Sequence, residues 1–108
     1  MSSYATEQPS RAEVDAMPGL TVVEFGANWC GICKAAQPAI NEALRDARHL
    51  RHLKVEDASG RPLGRSFQIK LWPTLVFMRD GLEVGRVVRP GSAADIRREL
   101  DQAAGAKL

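Results

Sequence analysis

The sequence predicts an α/β fold, with a sheet of mixed strand direction and helices on both faces. Three observations carry that expectation. Segments with apolar residues at helical spacing alternate with short β-branched runs. The run Leu20–Phe25 is apolar almost throughout, as in a strand covered on both sides. Asp80-Gly81, set between two strand-like runs, marks a tight antiparallel hairpin. With 108 residues and 44% hydrophobic content, the chain fits one compact domain over 1–108 and leaves little room for a second.

The elements follow in order. Ser10-Arg11-Ala12-Glu13 is a capping-box pattern that opens a short helix to about Ala16, and Pro18-Gly19 ends it. Leu20–Phe25 is the first strand, interrupted only by Glu24. The next helix carries Ala36, Ile40, Ala43, Ala47 and Leu50 on one stripe, at spacings of four, three, four and three. Pro38 lies inside it and is expected to kink it. His52–Glu56 reads as a strand. Residues 59–66 read as a short helix, with Leu63 and Phe67 turned to the core. Thr74–Met78 is a strand, and Glu83–Val88 returns antiparallel beyond the hairpin. After Pro90-Gly91, Ser92 caps a last helix with Ala93, Ile96, Leu100 and Ala103 inward.

Composition narrows the function classes. Lys and Arg total 15 against 13 Asp and Glu, a net charge of +2, with no basic block interleaved with aromatics, so nucleic-acid binding has no support. No apolar run approaches the roughly 18–20 residues of a membrane helix. The polar start, Met1–Ser10, lacks an apolar signal core, and two cysteines are too few for a disulfide-stapled scaffold. A cytoplasmic, reducing home is expected.

The chemistry gathers at Trp29-Cys30-Gly31-Ile32-Cys33-Lys34, where the only two cysteines flank two residues between a strand and a helix. A helix start favours negative charge and so stabilises a thiolate, the form that attacks disulfides. Cys30, at the exposed start, is the expected nucleophile. Cys33, one turn deeper, is the expected resolving thiol. Lys34 adds positive charge. Glu24 places a carboxylate in an apolar strand, where burial is expected to raise its pKa and suit it to shuttling the Cys33 proton. The two sulfurs carry the electrons, so no organic cofactor or metal is needed.

This order of elements, with Trp-Cys-Gly-x-Cys-Lys at the first strand–helix junction, resembles the thioredoxin family over about residues 10–104. Pro38 matches its helix proline, Lys54 the lysine of the next strand, and Glu24 stands where the family has a buried aspartate. Trp72-Pro73-Thr74 resembles the loop that holds its cis-proline. The resemblance implies a thioredoxin fold and a thiol–disulfide oxidoreductase, most simply a reductant of protein disulfides. It makes Cys30, Cys33, Glu24 and Lys54 catalytic. It gives substrate contact to Trp29, Gly31, Ile32, Trp72, Pro73, Thr74 and Gly91. A flavoprotein thioredoxin reductase is the implied electron donor, and a monomer the implied state. A cis Trp72–Pro73 bond would leave the Trp72 backbone able to pair with an extended substrate. Trp29, Ile32, Trp72 and Pro90 would form an apolar collar, rimmed by Lys70, Arg86 and Arg89.

Four departures bear on potential and partner choice. Ile32 replaces the usual proline, Gly26 stands where an aromatic is common, Glu24 replaces aspartate, and Arg89-Pro90-Gly91 replaces a simpler turn. The amide restored at Ile32 favours a less reducing potential, while its apolar side chain acts the other way. Two other readings compete. One is a zinc module built from Cys30, Cys33, His49 and His52. The other is a thioredoxin-like docking or redox-sensing protein with slow turnover.

Overall fold

The structure, a computed structural model, describes residues 3–58 and 61–105. Its elements are α1 (Arg11–Asp15), β1 (Leu20–Gly26), α2 (Gly31–Leu44), β2 (Arg51–Glu56), α3 (Pro62–Ser66), β3 (Thr74–Arg79), β4 (Leu82–Val88) and α4 (Ala93–Ala104). The strands form one sheet in the order β2-β1-β3-β4. β1 runs parallel to β2 and antiparallel to β3, and β4 pairs antiparallel with β3. The expected mixed sheet is therefore present, with β1 at its interior.

Alternation along the strands divides the core between two faces. Val23 and Phe25 of β1 pack with Val55, Val76 and Met78 beneath Val14 of α1, Leu63 of α3 and Phe67. Val22, Leu75 and Phe77 face the other way, against Ile40 and Ala43 of α2 and Ile96 and Ala103 of α4. Thr21 to Gly26 are all buried, which explains why β1 reads as a continuous apolar run. Glu24 belongs to the α2 face and is fully buried there.

Local chemistry sets the ends of the elements. Ser10 accepts from the Glu13 amide while Glu13 accepts from the Ser10 amide, so the capping box of α1 is closed. Asp80 and Gly81 both take positive φ (48° and 84°), the pattern of a type I′ hairpin turn. A Cβ on Gly81 would also lie 2.0 Å from the Asp15 carbonyl oxygen.

Two expectations need correction. α2 begins at Gly31 and stops at Leu44, so Ala47 and Leu50 lie beyond it. Leu50 still packs on the α2–α4 core cluster, from the connection to β2. Spacing cannot separate a helix turn from a loop that returns a leucine to the same surface. The short helix starts at Pro62, where a proline fits because its missing amide would be unpaired anyway. Ser59 and Gly60, part of its expected start, lie outside the described residues.

The polar N-terminal segment also contributes structure. Ala5 bridges in parallel to Val55 at the edge of β2, donating to the Lys54 carbonyl and accepting from the Glu56 amide, both at 2.9 Å. This pairing brings Tyr4 under the sheet edge, where it is only 5% exposed.

Candidate active site

The chain leaves β1 through Ala27-Asn28-Trp29 and enters α2 at Cys30, its N-cap. The Cys33 amide donates to Cys30 Sγ at 3.2 Å, and the Lys34 amide to the Cys30 carbonyl at 3.0 Å. Both cysteines are free thiols. Cys30 is partly exposed and Cys33 fully buried. The outer sulfur thus sits at the positive end of a 14-residue helix with an amide aimed at it, a setting that accommodates negative charge. Gly31, the first helical residue, is exposed with open space around it.

Apolar side chains surround this helix start. Trp29 is 62% exposed and Ile32 47% exposed. The Trp29 and Trp72 rings meet edge to face at 6.5 Å. The Trp72–Pro73 bond is cis. Trp72 Nε1 donates to Asp57 Oδ2 at 2.9 Å. Burial raises the Asp57 pKa, and the Trp72 hydrogen bond opposes the rise. Gly64 lies directly behind that carboxylate, and a Cβ there would come within 1.8 Å of Asp57 Oδ1 and force the carboxylate to move. A shallow groove of about 160 Å³ joins Ile32, Ala35, Ala36, Pro73, Arg89 and Pro90.

Several expected contact residues are differently placed. Arg89 Nε donates to the Trp72 carbonyl at 2.8 Å, so one lone pair of the oxygen expected to meet substrate is already engaged. Thr74 is turned inward, its hydroxyl donating to the Leu71 carbonyl at 2.6 Å. Arg86 is committed to Glu83 and to the Phe67 carbonyl, which removes it from the proposed cationic rim. Gly91 is exposed but is not among the groove-lining residues.

Behind Cys33 lies a polar network with the buried Glu24 at its centre. Oε2 of Glu24 accepts from the Tyr4 hydroxyl and, at 2.9 Å, from Gln37 Nε2. Oε1 lies 2.9 Å from His52 Nε2, which carries the hydrogen because a carboxylate can only accept. Gln37 also donates to the Cys33 carbonyl and accepts from Lys54 Nζ at 2.8 Å. Lys54 lies 4.7 Å above the Tyr4 ring. Among the described residues, every buried side-chain polar atom has a partner.

This network reverses the expected direction for Glu24. Burial alone pushes its pKa up, but hydrogen bonds from His52, Tyr4 and Gln37, with the charge of Lys54, outweigh it. The carboxyl is held below its usual range. Burial raises Cys33 to about 11, reinforced by its hydrogen bond with Cys30 and by the Cys30 charge. Burial raises Tyr4 as well, with Glu24 adding to the effect through its charge and its hydrogen bond.

Sequence reasoning missed Tyr4, Gln37 and Asp57, and read His52 only as a candidate zinc ligand. Gln37 stands one helical turn after Cys33, and His52 shares the strand face of Lys54, so both had a spacing signal. Tyr4 had a subtler one in Gly26. A Cβ on Gly26 would meet the Tyr4 ring at 2.6 Å and Cys33 Sγ at 2.8 Å. The aromatic lacking at position 26 is supplied to the same space from the N-terminal segment.

The zinc reading fails on placement. The cysteines open α2, whereas His49 follows its far end, about 20 Å away along a helix of this length. His52 is bonded to Glu24. Among the described residues, no three His, Cys, Asp or Glu side chains cluster as a metal site.

A dithiol that caps the helix leaving an interior strand, beside a cis-proline loop, defines a protein of the thioredoxin-fold class. The sequence model of the thioredoxin family matches residues 3–102, and the chain belongs to that family. It is similar to thioredoxin 2 of Pseudomonas aeruginosa PAO1 in its reduced form, with 55% identity, a TM-score of 0.87 and 96% of each chain covered. Thioredoxin of Mycobacterium tuberculosis H37Rv is 36% identical over 80 residues, covering 73% of this chain and 69% of that protein. Thioredoxin H-type 1 of Nicotiana tabacum is 36% identical over 69 residues. The match covers 55% of the tobacco protein, so the chain spans about half the length of this relative.

Proposed function

We propose that the chain is a thiol–disulfide oxidoreductase, one domain acting as a reductant of protein disulfides. The observation that carries this reading is the contrast between a partly exposed Cys30 at a helix start and a buried Cys33 one turn deeper. Cys30 thiolate attacks a substrate disulfide, forming a mixed disulfide and releasing the first substrate thiolate. Cys33 then attacks Cys30 Sγ, closes the Cys30–Cys33 bond and releases the second. Glu24 accepts the Cys33 proton; hydrogen bonds from His52, Tyr4 and Gln37, with the charge of Lys54, keep its carboxylate ionised beforehand.

Trp29, Gly31, Ile32, Trp72, Pro73, Thr74 and Gly91 frame the docking face, Thr74 and Gly91 through backbone alone. An exposed apolar surface of this kind suits transient contact with flexible protein segments. Ile32 is half exposed and therefore desolvates little, which favours the amide effect and a somewhat less reducing potential. A flavoprotein reductase returns the disulfide to the dithiol. The chain works as a monomer in the cytoplasm. In support, no described helix is long and apolar enough to cross a membrane, and both cysteines belong to the exchange centre.

The test is insulin-disulfide reduction driven by dithiothreitol. The wild-type chain is expected to accelerate it, and Cys30→Ser to fall to the rate of dithiothreitol alone. A wild type no faster than the reagent would instead assign the fold to docking or slow sensing.

A further inference from the structure

Between Cys33 and Glu24 stands a hydroxyl contributed from outside the sheet. The Tyr4 hydroxyl donates to Glu24 Oε2. The ring and Cys33 Sγ approach each other across the bare Cα of Gly26. Several tethers hold this position. The Tyr4 amide donates to Asn28 Oδ1 at 2.9 Å, and Asn28 Nδ2 returns a bond to the Tyr4 carbonyl at 3.3 Å. Ala5 is paired to β2, and Gln37 Nε2 donates to the phenol oxygen at 3.1 Å. A hydroxyl both donates and accepts, so one placed between an acid and a base can pass a proton without ionising. Burial and the neighbouring carboxylate keep this phenol protonated.

We propose that Tyr4 is a catalytic residue of the resolving step, its hydroxyl taking the Cys33 thiol proton as it hands its own to Glu24 Oε2. The inference rests on the reading of Cys33 as resolving thiol and Glu24 as proton acceptor. The atoms balance. Cys33 loses a proton through Tyr4 to Glu24, its sulfur bonds to Cys30 Sγ, and the Cys30–substrate S–S bond breaks. The electron pair leaves with the substrate thiolate, which takes a proton from solvent. Cys33 and Cys30 end oxidised and the substrate sulfur reduced. Once Cys30 is in the mixed disulfide, its charge no longer opposes ionisation of Cys33, so the transfer becomes easier when it is needed. The titratable groups around this hydroxyl are Glu24 from β1, which accepts its hydrogen bond, Cys33 from α2 and Lys54 of β2 over the ring, with His52 of β2 on the other oxygen of Glu24 and Lys34 of α2 on the adjoining cavity. A cavity of about 240 Å³ lined by Tyr4, Lys34, Gln37 and Lys54 adjoins this network.

The experiment mixes the reduced full chain with an aromatic disulfide whose thiolate product is coloured and follows release by stopped flow. The first release reports attack by Cys30 and scales with reagent concentration. The second reports resolution by Cys33 and does not. Tyr4→Phe keeps the ring against Gly26 and below Lys54 and removes only the hydroxyl. It is expected to leave the first phase unchanged and to slow the second on the order of tenfold or more. The deficit should shrink as pH is raised, because Cys33 then ionises without the relay. A normal second phase in Tyr4→Phe, with Glu24→Gln slowed, overturns the relay and leaves Glu24 receiving the proton directly. A normal second phase in Glu24→Gln removes Glu24 from the chemistry, and Tyr4 with it. Equal slowing of both phases at every pH marks a packing role and also overturns the proposal. Should Tyr4→Phe melt early, a fluorinated tyrosine at position 4 keeps the hydroxyl, and a second phase indifferent to its acidity would count against the relay.

Discussion

The two cysteines stand one helical turn apart in opposite surroundings. Around Cys30 the end of a loop and the first turn of α2 lie at the surface: Trp29, Gly31 and Ile32 are exposed, and the groove beside them is shallow. Around Cys33 the groups come from the N-terminal segment, β1, α2 and β2, and the polar atoms are bonded to one another. The contrast separates recognition from chemistry. A partner must be met by a face that tolerates different shapes, whereas moving a proton in a buried site requires fixed distances and no orphan polar group. The outer half therefore contributes little to stability. The inner half is expected to cost about 1–3 kcal/mol for each buried donor or acceptor left without its partner.

Four measurements would break or sharpen that division. The largest effect is expected from Cys33→Ser, which leaves the outer half intact. Attack by Cys30 continues, turnover falls to background, and the mixed disulfide accumulates as a stable adduct visible by mass spectrometry. Release of substrate at the wild-type rate would mean the inner thiol has no task.

Glu24→Gln comes next, slowing resolution roughly tenfold to a hundredfold while Cys30 alkylation is unchanged. Its stability effect has a definite sign. The folded pKa of Glu24 is below the ordinary value of 4.5, so its contribution is present above that value and lost as pH falls through the folded pKa. Melting temperature should therefore fall on acidification in the wild type and less steeply in Glu24→Gln. At the alkaline end, Cys33 rises from 9.0 to about 11, so stability is lost as pH climbs through that interval. Cys33→Ser should flatten that limb.

Gly26→Ala tests how tightly the inner half is packed. Its methyl would overlap both the Tyr4 ring and Cys33 Sγ, and a loss of about 1–3 kcal/mol is expected in denaturant unfolding. A neutral result would show that Tyr4 can withdraw freely. The smallest effect is expected from Trp29→Ala. Unfolding free energy should stay within about 0.5 kcal/mol, because the ring is mostly in solvent. KM for a protein disulfide should rise a few-fold with kcat unchanged, and a change in kcat alone would place Trp29 in the chemistry rather than in docking.

Much of the outer half was legible from local signals. The Cys-x-x-Cys spacing, the helix it opens and the proline after Trp72 are short-range features, as is the hairpin at Asp80-Gly81 at the far end of the sheet, and short-range features set helix starts and tight turns. The inner half was legible only in outline. Glu24 and Lys54 stood out, but the sign of the Glu24 shift was misjudged because burial was weighed without His52, Tyr4 and Gln37. Leu50 was assigned to a helix because a loop can return a side chain to the same surface.

By itself the sequence determined which strands and helices form, in what order, and that two thiols share a helix start. Tertiary structure alone decided that Tyr4, 20 positions from Glu24, would bond to it, and that His52, 28 positions away, would hold its other oxygen. The reason is one of range. Propensity, capping and spacing act within a turn or two, whereas a buried carboxylate's charge state depends on dipoles and charges brought to it from distant segments by packing.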